Sequence, residues 1–257
     1  MHILLVNDDG ISSPRLHLLA QAARRRGHRV TVCAPAVQQS AKSHSFTIAE
    51  PLLVRECSVG GADRAFAVDG TPVDCTRIGL MGLCRGTVDL VLSGINDGLN
   101  IGLATYVSGT CGAAREAAFL GVRALAVSME MNAPEEGLRF LAEYAVLTAE
   151  QLLAWPLPEK CCCNLNAPAL RPEAFREPVV APLSLHVYRD EYEERISPRG
   201  LRYFWLCAER PDSSPEPFSD VGRIGAGHLT LTFLTPEPCD QSRFEGLPLP
   251  LEAVPRR

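Results

Sequence analysis

The sequence predicts an α/β protein, a mostly parallel sheet with helices on both faces, followed by a β-rich C-terminal extension. Three observations carry that expectation. Short apolar runs alternate with helical segments through the first 150 residues. Those runs are apolar throughout, as strands covered on both faces are. Fifteen of the twenty prolines lie beyond residue 154, where long helices are not expected.

The elements follow in order. His2 to Val6 is a short buried strand ending in the turn Asn7-Asp8-Asp9-Gly10. Ser13-Pro14 opens a helix, with proline in the first turn where a missing N–H costs nothing. Leu16, Leu18, Leu19, Ala22 and Ala23 form its apolar stripe. Arg24-Arg25-Arg26 suits the negative end of its dipole before Gly27 stops it. His28 to Ala34 is the second strand, stopped by Pro35 and followed by a polar loop from Gln38 to Ser45. Strand-like stretches lie near 47–55 and 64–68, and Gly70-Thr71-Pro72 opens a helix to about Leu83. Val88 to Leu92 is another buried strand, running into Ser93-Gly94-Ile95-Asn96. Ser108-Gly109-Thr110 precedes a helix to Leu120, Arg123 to Val127 is a strand, and a helix spans roughly 134–154.

Beyond that point strands are expected near 161–165, 178–188, 201–207 and 228–234, joined by irregular loops. The division is therefore a core over 1–154, an extension over 155–246 serving subunit contacts, and a tail over 247–257, extended or disordered.

Composition narrows the class. Hydrophobic residues at 46% and charged residues at 21% describe a soluble globular chain of 257 residues. A net charge of -5 provides no basic field for a nucleic-acid duplex or an anionic membrane. A phosphate-bearing ligand must then meet local positive charge, which a bound metal can supply. Ten cysteines contain no C-x-x-C pair, which disfavours a zinc site and leaves reduced thiols acting as small hydrophobes. The first strand begins almost at Met1 and no apolar run is long enough to span a bilayer, so a cytoplasmic protein is expected.

Ligands of open α/β sheets bind beyond the carboxyl ends of the strands. Polar clusters fall there three times: Asp8-Asp9, the Ser40 loop, and Asn96. Adjacent carboxylates repel unless a cation joins them, although an Asx turn or helix cap fits Asp before Gly equally well. Ser40 and Asn96 add neutral oxygens, and oxygen-only ligands favour Mg²⁺ or Mn²⁺ over zinc. For Asn96 alone, a turn residue after Gly94 is the simpler reading. Ser108-Gly109-Thr110 at a helix start reads as an anion cradle or as an ordinary cap. Of six histidines only His44 lies among these loops; a lone loop histidine is usually just solvated, and a substrate-side place beside Ser40 is the alternative reading. No Walker A loop, G-x-G-x-x-G turn or G-x-S-x-G elbow is present.

Taken together, ILLVNDDG (3–10), AP…QSAKSHSFT (34–47), VDGTPVDC (68–75), DLVLSGINDGLNIG (89–102), SGTCGAAREAAFLG (108–121) and ALAVS (124–128) resemble the SurE family of nucleotidases. The resemblance implies a Rossmann-like core, a homodimer or homotetramer built through the C-terminal arm, and hydrolysis of nucleoside 5′- and 3′-monophosphates. It implies one divalent ion, Mg²⁺ or Mn²⁺, on Asp8, Asp9, Ser40 and Asn96, with Asp8, Asp9 and Asn96 catalytic. Asn100, Ser108, Gly109 and Thr110 fall on the phosphate side. The chain departs from the family pattern at Ala41, Val107 and Ala117, none of which is an implied ligand. The expected mechanism is metal-assisted hydrolysis by water without a covalent enzyme intermediate. Its rivals are a nucleotide-binding protein without turnover, and a phosphatase acting on another small ester or polyphosphate.

Overall fold

A computed structural model describes residues 1–84, 86–185, 190–208 and 216–236. Its centre is a nine-stranded sheet. The first half supplies β1 (His2–Val6), β2 (Arg29–Pro35), β3 (Val54–Cys57), β4 (Arg64–Val68), β5 (Leu90–Asp97) and β6 (Arg123–Met129). The second half adds β7 (Cys162–Ala167), β8 (Arg176–Val180) and, after a separate hairpin, β11 (His228–Leu234). In space the order is β3-β4-β2-β1-β5-β6-β7-β11-β8. From β4 to β7 all neighbours are parallel, while β3 and β11 run antiparallel to β4 and β7.

The alternation of side chains along β1 explains the layers. Ile3 and Leu5 face one side, where they join Leu16 and Leu19 of helix α1 (Pro14–Arg25) and Leu141 and Leu152 of α5 (Glu135–Leu152). Leu4 and Val6 face the other, where α2 (Pro72–Ile78) and α4 (Gly109–Phe119) cover the sheet. That second layer is built from small residues: Cys33, Cys75, Cys111, Ala113, Ala114, Ala117 and Cys162. Small side chains let α4 lie close to the strands. A fully buried Leu or Val contributes about 1.5–3 kcal/mol over an exposed one, so the unbroken apolar strands supply most of the drive.

The fold class is as expected, and several boundaries differ. The division at 154 falls inside the sheet, because buried β7 pairs with β6 and β11 pairs with β7. Among the described residues, the strands β9 (Asp190–Ile196) and β10 (Arg202–Ala208) form a separate two-stranded ribbon. Strand 47–55 shrinks to β3 because Thr47 is drawn into hydrogen bonds with Asp74 instead. The helix expected to Leu83 stops at Ile78 and finishes as a wider π-type turn over Gly79–Leu83. The strand expected at 178–188 becomes β8, ending at Val180, and residues 186–189 lie outside the described ones, as does the 247–257 tail. The short helices α3 (Ala104–Val107) and α6 (Asp220–Gly225) and strand β9 carry too little periodicity to be read from sequence.

Candidate active site

β1 lies between β2 and β5, so the chain switches sides of the sheet at its carboxyl end, where open α/β sheets leave a crevice. The turn after β1 is locked internally. Asn7 donates its amide to the Gly10 carbonyl and accepts the Gly10 N–H, at 3.0 and 3.2 Å. On one flank the Gln39 N–H donates to the Asp8 carbonyl at 2.7 Å, which brings Ser40 next to the turn. On the other, the Asp97 N–H donates to Asp9 Oδ2 at 3.3 Å. From above, Thr110 Oγ1 donates to Asp8 Oδ1 at 2.5 Å. The three strand ends and the head of α4 therefore meet on Asp8 and Asp9.

Gly109 makes that meeting possible. A Cβ there would lie 3.1 Å from the Asp8 Cβ, 3.3 Å from its Oδ2 and 3.0 Å from Pro72 Cγ. Gly109→Ala is accordingly expected to push Asp8 off Thr110 and lower kcat roughly 10-fold or more, since a sub-ångström misplacement of a reacting group is costly. Stability should change by only about 1–2 kcal/mol. Steady-state kinetics beside a melting curve checks this, and unchanged kcat would mean that Asp8 does not need its present position.

The electrostatics favour a cation. Asp8 is only 5% exposed, and burial pushes its carboxyl up to about 6 despite the Thr110 hydrogen bond, with the Asp9 charge adding to the rise. Burial raises Asp9 as well. Asn96 donates its amide N–H to the Gly98 carbonyl at 2.8 Å, leaving its amide oxygen without a donor among the described residues. Ser40 Oγ accepts only from Gln38, at 3.0 Å. Two desolvated carboxylates, an undonated amide oxygen and a hydroxyl are a hard-oxygen donor set that fits Mg²⁺ or Mn²⁺. Among the described residues no three His, Cys, Asp or Glu side chains gather into a ligand group, so the neutral oxygens matter.

Other expected residues have more divided duties. Ser108 caps α4 by accepting the Cys111 N–H at 3.1 Å, as an ordinary cap does. Asn100 is buried; it donates one side-chain N–H to Ser128 Oγ at 2.9 Å, and its carbonyl accepts from Asn164 and Asn166. One amide N–H remains for a ligand. His44 does not join the carboxylates. Its Nε2 lies 2.7 Å from Glu116 Oε2 and its ring stacks on Phe119 with centroids 5.3 Å apart. Glu116 is seven residues along α4 from Gly109, about 10 Å at 1.5 Å per residue. A cavity of about 500 Å³ opens beside His44, lined by Ser43, Tyr106, Arg115 and Phe119 among others and by none of the carboxylate cluster.

Three contributors are not foreseen from the sequence. Arg15 donates to the Asn96 carbonyl at 3.0 Å and pairs with Asp97 at 2.6 Å, neutralising a third carboxylate beside the site. An arginine at the positive end of a helix is electrostatically misplaced, and that is its only signal. Asn164 and Asn166 interrupt the otherwise apolar β7; buried amides demand partners, and theirs is Asn100.

Fold and site together define an α/β protein with two adjacent carboxylates, Asp8 and Asp9, at the switch point of its parallel sheet. Residues 3–190 match the family model described as survival protein SurE. The 5′-nucleotidase SurE of Nitratidesulfovibrio vulgaris (strain DP4) is 40% identical over 232 residues, covering 90% of this chain and 92% of that one. That of Synechococcus sp. (strain JA-3-3Ab) is 36% identical over 250 residues, covering 96% of each. The crystal structure of the SurE protein from Aquifex aeolicus superposes with a TM-score of 0.80 at 31% identity, covering 96% of this chain and 98% of that chain. The chain belongs to the SurE family.

Proposed function

We propose that this protein is a divalent-metal-dependent nucleotidase that hydrolyses nucleoside 5′- and 3′-monophosphates to nucleoside and phosphate. The observation that carries the reading is buried Asp8 beside half-buried Asp9 at the switch point, with Thr110 donating to Asp8 and the Asp97 N–H to Asp9. Relatives named 5′-nucleotidases support the substrate class.

Asp8, Asp9, Ser40 and Asn96 would hold the ion, which supplies charge stabilisation and a reactive water near neutral pH. The chain's own work is positioning. Thr110 fixes one oxygen of Asp8 and directs the other outward. Ser108 and Gly109 place the head of α4, whose first N–H groups and dipole favour an incoming phosphate. Asn100, anchored by Ser128, Asn164 and Asn166, offers its remaining N–H from the β6–β7 side. Phosphoryl transfer is mostly positioning and charge stabilisation, so such a frame suffices without a nucleophilic side chain. Arg15 keeps Asp97 neutralised, so two carboxylates rather than three meet the phosphate. His44, paired with Glu116, is proposed to contribute on the substrate side from the Ser40 loop. Among the described residues no helix is long and apolar enough to cross a membrane. A cytoplasmic location is part of the proposal and rests on the sequence reading alone.

The test is phosphate release from a panel of nucleoside 5′- and 3′-monophosphates, other small phosphate esters and polyphosphate, with Mg²⁺, with Mn²⁺ and with chelator. Metal-dependent release is expected. An ion present at about 100 times its Kd should also stabilise the fold by about 2.7 kcal/mol, visible as a shift in Tm. Stoichiometric nucleotide occupancy without turnover would replace the enzyme by a binding protein.

A further inference from the structure

We propose that Glu116 is a positioning residue that latches the 40–47 loop, and with it Ser40, against α4; the proposal rests on the reading of Asp8 and Ser40 as one site. The loop needs a latch. Ala41 and Ser43 both take left-handed backbone conformations, with φ of 55° and 56°, which residues bearing a Cβ disfavour. Among the described residues the Ser40 hydroxyl accepts a hydrogen bond from Gln38 alone, two residues away. Its place is set by what holds the loop on either side of it.

On the near side the Gln39 N–H is tied to the Asp8 carbonyl at 2.7 Å. On the far side the loop runs down α4. The Ser43 carbonyl comes so close that a Cβ on Gly112 would lie 2.3 Å from it. Backbone carbonyls of Tyr106 and Val107 accept the Ser43 hydroxyl and N–H, at 2.6 and 2.9 Å. Further on, buried Asp74 accepts the Thr47 N–H and hydroxyl, both at 2.8 Å.

Between these anchors one side chain grips the loop twice. Glu116, 5% exposed, accepts from His44 on Oε2 and from Arg77 on Oε1. Arg77 in turn lays its guanidinium over the ring of Phe46, 4.6 Å from the centroid. A buried carboxylate is tolerated because both its oxygens are engaged by basic groups. Directly through His44 and indirectly through Arg77 it restrains two loop residues, 44 and 46. The stacking of His44 on Phe119 adds a contact to α4 but no hydrogen bond. The proposed chemistry makes no use of Glu116, whose distance from Asp8 leaves it only this indirect action.

The chain offers an internal gauge, because its only lysines are Lys42, in the loop, and Lys160, in the turn before β7. Native-state digestion with a lysine-specific protease therefore reads the loop and a remote site in one experiment. In E116Q, which keeps the side-chain volume, and in E116A, cleavage after Lys42 is expected to rise roughly 10- to 100-fold, the loss of a charge-assisted hydrogen bond. Cleavage after Lys160 should keep its wild-type rate. The Mn²⁺ concentration giving half-maximal turnover should rise by a similar factor, with E116Q less affected than E116A. Equal acceleration at both lysines would show general loosening and overturn the latch; so would an unchanged rate at Lys42. If the wild-type protein turns over no phosphate ester, the nucleotidase reading fails, while the ratio of the two cleavage rates still decides the latch.

Discussion

Asp8→Asn should lower turnover by about 10³-fold or more, the scale seen when a group that stabilises transition-state charge is removed, and should stabilise the metal-free protein at neutral pH. The second half of that result follows from linkage. The Asp8 carboxyl stands at about 6 in the folded chain against an ordinary 3.8. The folded state therefore binds this proton more tightly than the unfolded chain does. Below the ordinary value of 3.8 both states are protonated and Asp8 imposes no penalty. Stability is lost as pH rises from there through about 6, by at most about 3 kcal/mol in all. Asparagine keeps an oxygen to accept from Thr110 Oγ1 and carries no charge to desolvate. Melting of chelator-treated wild type and variant at about pH 5 and about pH 7.5 checks the sign: wild type should weaken across that interval and the variant much less. Saturating Mn²⁺ should then restore the wild type alone. Near-normal turnover by the variant would remove Asp8 from the site, and equal pH dependence would remove the buried charge from the account.

Phe204→Glu together with Leu206→Glu should leave the protein monomeric while the main sheet stays folded. Among the described residues the ribbon β9–β10 forms a sheet of its own, and an isolated two-stranded ribbon is marginal in water. Its register places Phe204 opposite Glu194, Leu206 opposite Tyr192 and Arg202 opposite Ile196, so these six residues share a face. On it Tyr192, Ile196, Phe204 and Leu206 are each more than half exposed. If the arm serves subunit contacts as proposed from the sequence, this exposed apolar surface is what another chain would cover. Burying a Phe or Leu contributes about 1.5–3 kcal/mol, and a symmetric contact counts each residue twice. Losing both should therefore cost on the order of 6 kcal/mol or more, enough to abolish association at micromolar concentration. Sedimentation or light scattering of wild type and variant decides it, and a monomeric wild type would end the role of the ribbon as a subunit contact.

The parallel sheet is legible in the sequence because its strands are apolar from end to end and its helices carry their own punctuation: Pro14, Gly27 and the Thr71-Pro72 cap. The carboxylate pair is legible for the same reason, standing at the end of an unmistakable strand. What escapes depends on partners distant in sequence. Nothing near His44 announces Glu116, 72 residues away, so the sequence alone does not show that this loop histidine pairs with a buried carboxylate. The second half reads as a separate extension because proline-rich connections hide strands whose only fixed feature is a neighbour. Cys162 and Cys163 belong to β7, which pairs with β6 in one direction and β11 in the other, and no local pattern says which.

The layer of small residues beneath α4 has a consequence for anyone handling the protein. Cys75 and Cys111 are fully buried in it, and burial pushes the Cys111 thiol up to about 11, so neither presents a reactive thiolate while the helix is seated. The exposed thiol of Cys57 lies instead on the outermost strand β3. Alkylation of Cys57 should thus be silent. A maleimide or oxidant that reaches Cys75 or Cys111 has caught α4 lifted from the sheet and wedged it there. Such inactivation clocks the breathing of one layer of the fold and is no sign of a cysteine nucleophile.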